Sequence, residues 1–152
     1  MAGFSTIEDA AAAALVHAVA RSRASRRQSE HMGAVYEQDG RYYYTEPRSL
    51  HSRTGGATRL QIPTGSLRAL YHNHPPGGGN DRFSPEDIRM ARKLGVPSFV
   101  SIAPTKKRGK RAPGAESLRA YYPGQTKDDR GVPVLAEIPI EDILRLHAAR
   151  NP

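Results

Sequence analysis

Apolar and polar positions change period several times along the chain, and each period predicts an element. From about Ser5 to Arg27, an Ala-rich run whose less polar positions are Ile7, Ala11, Leu15, His17 and Val19 predicts a helix. Ser5 and Glu8 have the spacing of a capping box at its start, and Arg21, Arg23, Arg26 and Arg27 put positive charge at its end, where the macrodipole favours it. Gly33 to Gln38 and Arg41 to Thr45 read as strands joined by Asp39-Gly40, two residues that accept the positive φ of a type I′ hairpin turn. A polar loop runs on to about Thr58. Leu67 to His74 then alternates over the length of a strand before the breaker Pro75-Pro76-Gly77-Gly78-Gly79. Ser84-Pro85-Glu86-Asp87 starts a second helix, with Ser at the N-cap, Pro at the first helical position and two acids in the first turn. Ile88, Met90, Ala91 and Leu94 carry that helix to a stop at Gly95. Val96 to Ala103, Leu118 to Tyr122 and Val132 to Ile138 predict three further strands, and Ile140 to Ala149 a closing amphipathic helix. This order describes an α/β sandwich with a mixed sheet flanked by helices.

Composition narrows the picture. A chain of 152 residues, 38% hydrophobic and 25% charged, fits one domain, and no internal repeat divides it. Its parts are an N-terminal helix over 1–28, a hairpin and core over 29–103, and a basic loop, strands and closing helix over 104–152. Lys and Arg number 23 against 15 Asp and Glu, a formal charge of +8 that suits an acidic partner such as nucleic acid. The densest runs fall at the end of the first helix and in the loop Lys106 to Arg111, where solvated charge is the simpler reading. The absence of cysteine excludes disulfides, thiolate zinc sites and a cysteine nucleophile, so any metal must be held by His and carboxylates. Ala10 to Ala20 is too short and too weakly apolar to span a bilayer. Acids precede it and Arg21 follows it, unlike a signal peptide, so the expectation is no membrane span and synthesis in the cytoplasm.

The chemistry concentrates in Tyr71-His72-Asn73-His74-Pro75, followed ten residues after the second histidine by Ser84 and three further on by Asp87. Residues two apart in a strand share a face, so His72 and His74 can present two imidazoles side by side. A carboxylate from the next helix can complete three ligands and leave one open position, the composition of a catalytic zinc site. Read conservatively, the same residues are a chance His pair, an N-cap serine and a dipole-complementing acid. The joint pattern of strand, His pair, Gly-rich loop and Ser-x-x-Asp favours the site. His17, His31, His51 and His147 read as surface or packing residues, and Tyr42, Tyr43 and Tyr44 as hairpin and core packing.

His72-Asn73-His74-Pro75 with Ser84-x-x-Asp87 resembles the signature of the JAB/MPN (JAMM) metallopeptidase superfamily, including its RadC-like branch. Further elements resemble a bacterial JAB-like family found in polymorphic and secretion-system toxins. They read Phe4 through Ala14, Glu30-His31-Met32-Gly33, Asp39-Gly40 with Tyr42-Tyr43-Tyr44-Thr45, and Phe83-Ser84-Pro85-Glu86-Asp87, and so cover about two-thirds of the chain. The resemblance implies a JAB/MPN-like (cytidine-deaminase-like) three-layer sandwich. It implies Zn2+ held by His72, His74 and Asp87, Glu30 as the proton carrier, and Ser84 as the donor to the developing oxyanion. Glu37 and Glu46 are competing acids in the hairpin region; Glu30 matches because it precedes the strand. The spacing from His74 to Ser84 is two residues longer than usual in the family, which enlarges the loop Pro76 to Asp81 into a lid or a tolerated insertion.

The function implied is zinc-dependent hydrolysis of peptide or isopeptide bonds. The toxin association adds delivery into another cell and a cognate immunity protein as partner. A metal-dependent nuclease or RadC-like nucleic-acid binder is the competing reading, drawn from the charge and the literal string His-Asn-His. That string is a poor guide, since the residues naming HNH nucleases are dispersed through a ββα-metal motif. A catalytically silent interaction module is the third reading, and the intact ligand set argues against it.

Overall fold

In a computed structural model, residues 2–25, 29–49, 62–76, 81–104, 114–124, 130–133 and 138–150 are described. The predicted loop to Thr58, the Gly-rich segment 77–80 and the basic run 106–111 lie outside these residues, wholly or for the most part.

Helix α1 (Ile7–Ala24) starts one residue later than the capping pattern predicts: Thr6, not Ser5, is the N-cap, and its hydroxyl accepts the Asp9 N–H at 3.1 Å. Two hydroxyl residues in succession, each with an acid three positions on, make the sequence signal degenerate. The helix buries Ala10, Ala11, Ala14, Leu15 and Ala18 at helical spacing, and small side chains along that stripe let it lie close on the sheet.

Strand β1 (His31–Gln38) turns through Asp39 (φ 52) and Gly40 (φ 75) into β2 (Arg41–Tyr44), the expected hairpin. A two-residue strand β3 (Arg48–Ser49), too short and polar to be read from sequence, pairs with the start of β1. Then come β4 (Leu67–His74), α2 (Pro85–Leu94), β5 (Ser98–Ile102) and β6 (Ala115–Tyr121). The last predicted strand is described at its two ends, β7 (Val132–Pro133) and β8 (Ile138–Pro139), both pairing with β6, and 134–137 lie outside the described residues. Each piece holds a proline, which has no N–H for the ladder and confines such strands to edges. Helix α3 (Ile140–Arg150) closes the chain.

The strand order β2-β1-β4-β5-β6-β7 is antiparallel except for β4 and β5, so the sheet is mixed. A parallel pair needs a crossover, and α2 supplies it. On one face α1 packs on Val35, Tyr44, Ala69, Tyr71, Phe99, Leu118 and Ala120. On the other, Ile88 and Ala91 of α2 meet Val100, Ile102, Tyr121 and Phe83. The result is a mixed α/β fold with helices on both faces of the sheet, and among the described residues no helix is long and apolar enough to cross a membrane.

Alternation along β4 sorts its side chains between these faces. Ala69 and Tyr71 join the α1 core, which turns His72 and His74 toward α2. Tyr71 crosses β1 at Gly33, where a Cβ would lie 2.3 Å from the phenol oxygen, and donates to the Thr45 carbonyl at 2.5 Å. Gly33 is therefore required by the tyrosine beside the histidine pair.

Candidate metal centre

His72 and His74 stand at the C-terminal end of β4, and Asp87 sits in the first turn of the crossover helix that follows. In open sheets, sites form at the C-terminal ends of parallel strands, because the chain leaves the sheet there and opens a crevice. The Nε2 atoms of His72 and His74 are 2.8 Å apart, and Asp87 Oδ2 lies 3.4 Å from the first and 3.5 Å from the second. The side chains are 12%, 5% and 19% exposed respectively, so the cluster is sheltered and still reachable.

Local sequence explains the placement of Asp87. Ser84 caps α2 with extended backbone, its Oγ accepting the Asp87 N–H at 3.1 Å, while Asp87 Oδ2 accepts the Ser84 N–H at 2.8 Å. Pro85 presets the first helical residue, and Gly95 ends the helix in the left-handed region. Phe83, 1% exposed, anchors the approach to the cap in the core between α2 and the sheet.

Electrostatics follow the geometry. Burial opposes ionisation of Asp87, but hydrogen bonds from His72 and His74 and from the Ser84 backbone outweigh it and hold the carboxyl well below the usual range. Burial likewise disfavours charge on His72, yet the Asp87 carboxylate and, more weakly, Glu30 shift it upward. The three residues are the one group of at least three His, Cys, Asp or Glu among the described residues whose ligand atoms could hold a metal ion.

The donor set fits zinc. Two imidazoles and a carboxylate suit an open tetrahedral site, and ligand atoms about 2.0–2.1 Å from zinc stand about 3.3 Å from one another. Two of the three separations are already close to that value, and the His–His distance needs to open by about half an ångström.

Glu30 immediately precedes β1 and is half-buried. The β1–β4 ladder pairs Met32, two residues after Glu30, with His72, and Glu30 is near enough to His72 to favour its charged form. The competing acids sit elsewhere. Glu37 lies toward the hairpin end of β1 and pairs with Arg68 at 2.9 Å, while Glu46 pairs with Arg21 of α1.

Two relationships were not legible in the sequence. His17 and His147 bring their rings to 5.2 Å across α1 and α3, and the Tyr44 hydroxyl lies 3.4 Å from His17 Nδ1. Asn73, between the two histidines, is buried, and its Oδ1 accepts the His31 N–H at 2.7 Å. Both join residues far apart in the chain, which periodicity cannot register.

Comparison of the chain with protein-family models, with curated proteins and with solved structures finds no match.

Proposed function

We propose that this chain is a zinc-dependent hydrolase of the JAB/MPN (JAMM) type that cleaves peptide or isopeptide bonds. The observation that carries the reading is the convergence of His72, His74 and Asp87 from a strand end and the following helix start, ligand atoms within 4.8 Å of one another. Zinc, when bound, supplies a Lewis acid for the scissile carbonyl and a nucleophile at neutral pH. The chain's own residues do the rest. Asp87, held ionised, contributes negative charge that favours a divalent cation. Glu30, just before β1 and near enough to His72 to favour its charged form, takes a proton from the attacking water and returns it to the leaving amine. Ser84 accepts at Oγ from the Asp87 N–H, which leaves its hydroxyl hydrogen as a donor to the oxygen that becomes negative in the transition state. Sheltering by β4 and α2 strengthens each of these interactions relative to water.

The test is to load the purified chain with zinc and profile a peptide library for cleavage by mass spectrometry. His72→Ala and Asp87→Ala lose both zinc and cleavage, while Glu30→Gln keeps stoichiometric zinc and loses cleavage. A wild-type chain that takes up no zinc, or a fully active Glu30→Gln variant, overturns the assignment. The proposal extends to delivery as a toxin domain restrained by an immunity protein. Equal bacterial growth with wild type and Glu30→Gln, in cytoplasm and periplasm alike, removes that extension.

A further inference from the structure

Asn73 stands between the two histidines and turns to the opposite side of β4, so it is no ligand. It is 2% exposed, and its Oδ1 accepts the His31 backbone N–H at 2.7 Å, at the short end of the range for such bonds. The backbone ladder between β1 and β4 ends one residue further along, at Met32 opposite His72. Beyond that point β1 keeps a backbone partner only on its other side, where His31 pairs with Ser49 of β3, and the approach to the strand is held by side chains. The Ser29 N–H meets Ser25 Oγ at 3.2 Å, Ser29 Oγ meets Ser49 Oγ at 3.3 Å, and His31 Nδ1 meets the Ser29 carbonyl at 3.0 Å. Of these contacts and the Asn73 bond, the Asn73 bond alone reaches the strand that carries the histidine pair.

We infer that Asn73 is a positioning residue for Glu30: by binding the His31 N–H it clamps the start of β1 to β4 and fixes the Glu30 carboxylate beside the metal ligands. The inference rests on the hydrolase reading, which gives Glu30 its task. The physical argument is one of reach. Glu30 is a single peptide unit from the clamped N–H, and the ladder to β4 that would otherwise fix its height against the histidine pair has already ended, leaving β1 a backbone partner in β3 alone. An amide oxygen supplies the missing rung from within the His-x-His segment, so the ligand pair and the acid share one rigid reference. A leucine of similar size fills the same space and offers no acceptor, leaving a buried N–H unpaired.

The experiment uses the full chain, zinc alone as probe, and competition with a chromophoric chelator. Glu30 is a charged neighbour of the ligands, so Glu30→Gln weakens zinc binding by about tenfold without changing its stoichiometry. Asn73→Leu is expected to weaken it by a similar factor, and the double variant to lie close to either single variant rather than at about a hundredfold. Amide exchange at His31 quickens in Asn73→Leu and stays slow in Glu30→Gln. Multiplicative losses in the double variant, full affinity in Asn73→Leu, or unchanged exchange at His31 each overturn the inference while leaving the zinc reading intact. A wild-type chain that binds no zinc overturns both, and is recognised before any variant is made. If Asn73→Leu does not fold, Asn73→Ser, which is too short to reach the His31 N–H, carries the same cycle.

Discussion

Ser84 and Asp87 hold each other reciprocally: Asp87 Oδ2 accepts the Ser84 N–H at 2.8 Å, and the Asp87 N–H donates to Ser84 Oγ at 3.1 Å. The oxygen that satisfies the helix cap is also the one facing His72 and His74. Capping and the proposed metal ligation can therefore be separated by substitution. Asp87→Asn keeps an acceptor for the Ser84 N–H and gives up the charge, whereas Asp87→Ala gives up both. In metal-free protein, Asp87→Ala is expected to be about 1 kcal/mol less stable than Asp87→Asn by urea denaturation. If the proposed zinc site is right, both variants bind zinc at least tenfold more weakly in a chelator competition.

Gly33 leaves room for Tyr71, and any side chain there collides with it. An added Cβ would lie 2.3 Å from the Tyr71 phenol oxygen and 2.6 Å from Thr45 Oγ1. Gly33→Ala is expected to destabilise by about 1–3 kcal/mol through overpacking. Tyr71→Phe removes the nearest atom, so the double variant should lose less than the sum of the two single losses. Equilibrium unfolding of the four proteins measures that coupling directly.

Tyr71 also makes stability fall at alkaline pH. Burial pushes its phenol up, well beyond the ordinary range, against the smaller opposite effect of its hydrogen bond to Thr45. Above about pH 10 the unfolded chain releases this proton while the native chain keeps it, so the native state binds more protons and loses stability as pH rises. The contribution is complete below that pH. Wild type should therefore lose about 1.4 kcal/mol per pH unit relative to Tyr71→Phe between about pH 10.5 and 12. Parallel curves for the two proteins in urea melts at these pH values would contradict the assignment.

Legibility in the sequence followed the range of the interaction. β4 and α2 were readable residue for residue, because period-two alternation, Ser84, Pro85 and Gly95 are local signals that tertiary packing reinforces. The facing of His72 and His74 came from that alternation alone. The start of α1 was displaced by one residue, since Ser5 and Thr6 are both competent caps and the choice is made by the extended backbone at Thr6. Phe4 bridges to Tyr42 just before it. The strand predicted over Val132 to Ile138 is described at its two ends, β7 and β8, where edge pairing tolerates proline, and 134–137 lie outside the described residues. The bond from Asn73 to a backbone N–H 42 residues away has no local signature at all. Nor has the approach of His17 to His147, which depends on where α3 settles against α1.

Ser84 carries two tasks that glycine and alanine divide. As an N-cap its hydroxyl oxygen satisfies the Asp87 N–H, and in the proposed reaction its hydroxyl hydrogen stabilises negative charge on the substrate oxygen. Glycine is tolerated at N-caps within a few tenths of a kcal/mol, whereas alanine costs about 1 kcal/mol. Ser84→Gly should therefore stay close to wild type in stability, and Ser84→Ala should not. Cleavage should fall about a hundredfold or more in both, because neither offers a donor. Ser84→Thr restores acceptor and donor together and should recover both properties. Thermal melts read beside single-turnover cleavage separate the two tasks. A Ser84→Gly variant that cleaves at the wild-type rate would leave the serine as a cap alone.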